Sequence, residues 1–166
     1  MSFTSFSPNT QIKSSEVNAN FAAIASGAEV ANVAWTSWVP TATGITIGNG
    51  SLASSYIQVG KIIIARFSMV LGTTSAVSAS FTFTYPVAPS ANQYGNTTGI
   101  GTAYINCGGT AYLGIVRTNG ATTFAIESML ANATYVSPSA TGLGVPGTWA
   151  ANSSNNISAV LVYEAA

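Results

Sequence analysis

The chain has 166 residues, 48% of them hydrophobic and only 5% charged, with four Lys/Arg, four Asp/Glu, no histidine and a net charge of zero, whereas ordinary soluble domains are about a quarter charged. All four acids are glutamates, so Ser–His–Asp and Cys–His catalysis are excluded within one chain, as are metal sites built on His, Asp or paired Cys. The neutral balance leaves no electrostatic footprint for nucleic acid or anionic lipid and favours self-association.

Residues 1–13 read as an extended arm, with Phe3 and Phe6 among Ser and Thr and a turn at Pro8-Asn9. The opening residues lack the basic region and apolar run of a secretory signal. Residues 14–33 carry the only helical signal. Ser14 is the expected N-cap, and Glu16 falls in the first turn, where negative charge suits the helix dipole. Val17, Phe21, Ile24, Ala28 and Ala31 follow at alternating spacings of four and three, one stripe of a heptad pattern, and Gly27 ends or weakens the helix. The stripe can pack on the chain's own domain or gather copies around an axis, and two heptads are too few for an independent coiled coil. Phe3, Phe6, Val17, Phe21, Ile24 and Ala28 are the expected contacts with other copies or with other proteins of a larger assembly.

From Trp35 onward the pattern is β. Asn49-Gly50 is a two-residue hairpin signal that sets Ile47 opposite Leu52. Gly60-Lys61 opposes Val59 to Ile62 and Ile57 to Ile64. Gly108-Gly109 pairs Cys107 with Thr110 and Ile105 with Tyr112. Asn119-Gly120 sets Thr118 against Ala121, Ile115 against Phe124 and Leu113 against Ile126. Two antiparallel meanders are expected, over 44–72 and 99–127.

Alternation adds detail. Phe81, Phe83 and Tyr85 point one way and Ser80, Thr82 and Thr84 the other, as in a half-buried strand that Pro86 stops. In the strand from Lys61, one face carries Ile63, Ala65, Phe67, Met69 and Leu71, while the other carries Ile62, Ile64 and Val70 beside Arg66. A strand apolar on both faces is expected to be covered on both, the second cover being another subunit. The run Ile157 to Tyr163 is equally apolar and is expected inside a sheet. No stretch reaches the ~20 apolar residues of a membrane span. The whole predicts a mainly β fold: an antiparallel jelly-roll-like β-sandwich head over 35–166, preceded by an extended arm and one short α-helix over 1–34.

Glycoside hydrolysis needs only two carboxylates about 5–10 Å apart. Glu16 and Glu29 are too far apart on one helix, and Glu127 and Glu164 end strands that can meet. Salt bridging of Glu127 or Glu164 to Arg66 or Arg117 is the stronger reading, so no enzyme activity, cofactor or metal is expected. Cys107, the single cysteine, reads as a packed thiol beside a turn. Trp35 and Trp38 read as core or interface aromatics. Tyr94, in the polar stretch 88–98, and Tyr135, beside the Pro/Gly-rich stretch 137–147, mark two loops for ligand recognition.

The string from Phe6 to Phe21, FSPNTQIKSSEVNANF, resembles the opening segment of tailed-bacteriophage virion proteins of the fibre, spike and head-appendage kind. The blocks Trp35-Thr-Ser-Trp38-Val-Pro-Thr, Gly48-Asn-Gly-Ser and Tyr56-Ile-Gln-Val-Gly-Lys61 are similar to the same group, as are Leu71-Gly-Thr-Thr-Ser and the closing Gly147-Thr-Trp149 with the strand after Ile157. Residues 88–146 carry no such likeness. The resemblance implies a non-enzymatic, homotrimeric virion component located on the particle. Its N-terminal part would attach to a major capsid or tail protein and its β-rich head would face outward, as a fibre knob, head appendage or decoration protein. The alternative role within the same particle is a module binding a host receptor or surface glycan.

Overall fold

Period-two alternation becomes strand along most of the chain after Trp35. The computed structural model describes residues 8, 11–25, 34–91, 98–131 and 134–166. The chain divides into two units, Met1–Ala34 and Trp35–Ala166.

In the first unit, helix α1 spans Ser14–Ala25 with Glu16 in its first turn. The amides of Glu16 and Val17 both donate to the Lys13 carbonyl, at 3.0 and 3.3 Å. Lys13 therefore holds the capping position expected of Ser14, and Ser14 is already inside the first turn. Val17 is half-buried, whereas Phe21 is 65% exposed. Phe3, Phe6, Ala28 and Tyr94 lie outside the described residues, as does the side chain of Ile24.

Among the described residues, the second unit holds ten strands: β1 (Thr36–Trp38), β2 (Ala42–Thr46), β3 (Ser51–Val59), β4 (Ile62–Val70), β5 (Ala76–Thr84), β6 (Gly99–Cys107), β7 (Thr110–Thr118), β8 (Thr123–Ala131), β9 (Val136–Ala140) and β10 (Asn156–Glu164). They form one antiparallel sheet in the order β1-β3-β4-β10-β6-β7-β8-β5-β2, with β9 beside β8. The sheet curls back on itself. Phe67 of β4 lies 4.6 Å, centroid to centroid, from Phe83 of β5 and 5.9 Å from Phe124 of β8, although these strands are far apart in the order. Ile63, Ala65, Phe67, Met69 and Leu71 are all buried, as are Ile157, Ala159, Leu161 and Tyr163 of β10. Burying each large apolar side chain contributes roughly 1.5–3 kcal/mol, and the interior is where that gain is concentrated.

Several sequence expectations hold. The Gly60 hairpin pairs Val59 with Ile62 and Ile57 with Ile64, with Gly60 at φ 59°. The Gly108-Gly109 turn, at φ 62° and 83°, pairs Cys107 with Thr110 and Ile105 with Tyr112; only glycine adopts such angles cheaply. Phe81, Phe83 and Tyr85 are buried together, and β10 lies between β4 and β6.

Three expectations are corrected. β2 pairs with β5 rather than β3, so Ile47 does not oppose Leu52. The turn itself is real, because the Gly50 amide donates to the Ile47 carbonyl at 2.9 Å. Asn49, however, is tied to Thr73 and Thr74 by hydrogen bonds of 2.9–3.0 Å, which turns the chain through a corner instead of folding it into a hairpin. Between β7 and β8 the register is displaced: Thr118 faces Phe124 and Val116 faces Ile126. Asn119 closes this loop on Thr123, backbone to backbone and through Thr123 Oγ1, so Ala121 and Thr122 belong to the turn. Part of the expected 137–147 loop is strand β9, hydrogen-bonded to the edge of β8.

Candidate functional site

The outward face of β3, β4, β10, β6 and β7 gathers the residues that the interior does not use. Pairing fixes its rows. One row runs Ala53–Ser68–Ser158–Tyr104–Leu113, and the next runs Ser55–Arg66–Val160–Thr102–Ile115. A third holds Ile57–Ile64–Val162, and a fourth begins Val59–Ile62.

The third and fourth rows form an aliphatic patch at one end of the face. Val59, Ile62 and Val162 are each about half exposed, at 51%, 46% and 50%. The second face of the 61–71 strand, expected to be covered, is thus open in the single chain.

The first and second rows form a groove of about 1130 Å³ that crosses the strands from β1 to β8. Seven neighbouring strands at ~4.8 Å spacing make it roughly 29 Å long. From β1 to β6 every strand lines it with an aliphatic hydroxyl, Ser37, Ser55, Ser68, Ser158 and Thr102, with Ser54 a second one on β3, flanked by Val160 and Tyr104. Its far end is apolar, with Leu113, Ile115 and Met129. Arg66 stands in the groove. Its Nε donates to Ser55 Oγ at 2.7 Å, and its Cζ lies 4.3 Å from the centroid of the Trp35 ring. No carboxylate pairs with it among the described residues.

The glutamates are placed differently. Arg117 Nε donates to Glu127 Oε1 at 2.5 Å, the pairing expected from sequence. Glu127 on β8 and Glu164 on β10 are separated by β6 and β7, three strand spacings or roughly 14 Å across a sheet, wider than glycoside hydrolysis requires. Among the described residues no three His, Cys, Asp or Glu side chains come together to hold a metal ion, and no helix is long and apolar enough to cross a membrane. Cys107 is buried, and burial pushes its thiol above its ordinary value of 9.0 although a backbone hydrogen bond from Gly147 pulls the other way.

Of the residues singled out from sequence, Trp38 packs on Phe124 at 6.2 Å and Trp35 stacks with Arg66. Tyr135 is 65% exposed and does not line the groove. Sequence reasoning missed the groove. Its signal was the serines and threonines at outward positions of successive strands, which acquire meaning only once strand order is known. No protein-family model, curated protein or solved structure matches the chain.

Proposed function

We propose that the protein is a non-enzymatic structural component of a bacteriophage virion, a homotrimeric appendage, fibre knob or decoration protein that assembles through its outward sheet face. One observation carries the assembly step: Ile57, Val59, Ile62, Ile64 and Val162 form a contiguous aliphatic patch on three strands, with half-exposed members. Exposed apolar patches rimmed by polar residues mark interaction sites. A second copy is the fitting occupant because a chain with only 5% charged residues and zero net charge puts little repulsion between copies. The opening string from Phe6 to Phe21 supports the virion assignment, and Val17 and Phe21 are the described part of its expected attachment face. The Phe67 contacts with Phe83 and Phe124 support reading the head as a jelly-roll-like sandwich.

The test is the mass of the purified chain by light scattering or native mass spectrometry. A trimer at micromolar concentration is expected, with Ile62→Lys and Val162→Lys giving folded monomers of unchanged circular dichroism. A wild-type monomer would sink the assembly reading. Labelling of intact particles with an antibody to the head tests location: signal on capsid or tail supports the virion assignment, and its absence removes it.

A further inference from the structure

The groove beside the aliphatic patch has a different chemistry from it. The patch rows are aliphatic apart from Glu164 at one end, whereas the groove rows carry a hydroxyl on each of five neighbouring strands. Those hydroxyls divide between the two rows: Ser37 and Ser55 are direct neighbours across ~4.8 Å in the second row, Ser68 and Ser158 in the first, and Thr102 lies diagonal to Ser158. Between and beyond them lie surfaces for the apolar C–H faces of sugar rings: Tyr104, 47% exposed, then Val160, Leu113 and Ile115. Clefts that are mostly apolar with a few placed polar groups are the usual form of a small-ligand site.

Arg66 sets the charge. It is the one cation among the groove's lining residues. Ser55 holds its Nε, and the Trp35 ring lies against its guanidinium. The side chain is thereby oriented with its two terminal nitrogens available, the fork that binds a carboxylate in two parallel hydrogen bonds.

We infer that this groove binds a linear oligosaccharide bearing a carboxylate, laid across the strands from β1 towards β8, with the acid on Arg66 and a ring face on Tyr104. The site is distinct from the loops at Tyr94 and Tyr135. It does not rest on the assembly reading, because oligomer mass and sugar binding are measured separately.

The full chain is titrated by calorimetry with hexasaccharides of galacturonate, hyaluronan and α2,8-linked sialic acid, and with maltohexaose as a neutral control. At least one acidic chain is expected to bind, with maltohexaose weaker by about tenfold or more. Arg66→Ala is expected to weaken the acidic ligand by about tenfold, and Arg66→Lys less, since charge is kept and the fork lost. Ser158→Tyr, at an exposed strand position, fills the groove beside Arg66 and is expected to abolish binding while the far-ultraviolet spectrum stays unchanged. The inference is overturned if none of the acidic chains binds at millimolar concentration, if maltohexaose binds equally well, or if Arg66→Ala binds as wild type does. It is also overturned if Ser158→Tyr or Leu113→Lys breaks the oligomer, because the groove is then a contact between copies.

Discussion

Arg117 and Glu127 meet diagonally across β7 and β8, with Nε 2.5 Å from Oε1, while Arg117 Nη1 also donates to the Thr118 carbonyl at 3.1 Å. Both side chains are largely covered, at 21% and 14% exposure. The pair locks the hairpin whose turn Asn119 closes. Glu127→Gln keeps the shape but removes the charge. It is expected to lower unfolding free energy by about 1–3 kcal/mol in urea titration, with oligomer mass and sugar binding unchanged. Loss of a hydrolytic activity in this variant, with stability intact, would instead give Glu127 a chemical role.

Phe67 is 2% exposed and touches the rings of both Phe83 and Phe124. It joins the two sides of the curled sheet, so truncation leaves a cavity that neither side alone can fill. Phe67→Ala is expected to cost about 3–5 kcal/mol, read as a lower urea midpoint. Phe67→Leu should recover a large part of that loss. Equal stability of wild type and Phe67→Ala would show that the two sides do not pack through this ring.

Asn49 makes hydrogen bonds to Thr73 and Thr74 with both its side chain and its backbone amide. Asn49→Ala removes the side-chain bonds at an exposed corner and is expected to cost about 1–2 kcal/mol. Hydrogen exchange should quicken at the Thr74 amide, which donates to Asn49 Oδ1. Unchanged exchange there would mean the corner is held by other contacts.

Cys107 links stability to alkaline pH. Burial raises the thiol above 9.0 in the folded chain, so the unfolded chain gives up its proton first as pH rises. The contribution is complete below the unfolded value and is lost progressively as pH climbs from there through the folded value. Wild type minus Cys107→Ala, compared by denaturation at several pH values from neutral upward, should show a stability difference that declines only on the alkaline side. A difference that grows with pH would contradict the burial effect. Native Cys107 should also react slowly with a thiol reagent until the chain unfolds.

Local geometry was legible in the residues themselves. Gly60 and Gly108-Gly109 fixed their hairpins because the turn and both strand partners lie within a few residues of each other. The same grammar misled at Asn49-Gly50. A hairpin and a corner begin with the same turn, and the choice between them is made by Thr74, 25 residues away. At Asn119 the register depended on whether the loop closed after two residues or at Thr123, and the threonine hydroxyl decided it. The strand from Lys61 announced its two apolar faces but not that the outer one divides into an aliphatic end and a hydroxyl-lined groove. That division comes from β10, which brings Ser158 and Val160 between residues of β4 and β6 that are 36 positions apart in the chain.

The position of β10 also governs the order of events in folding. β3 with β4, and β6 with β7 and β8, are local antiparallel pairings between strands adjacent in the chain. The two groups share no strand pairing until residues 156–164 enter between them. Until then β4 and β6 each present an open edge of backbone donors and acceptors, and the long-range closure makes the final step slow. During that interval β10 of a neighbouring copy meets the same two edges as the chain's own. Strand exchange between copies would compete with this closure, and dilution during refolding is the condition that favours the closed single chain.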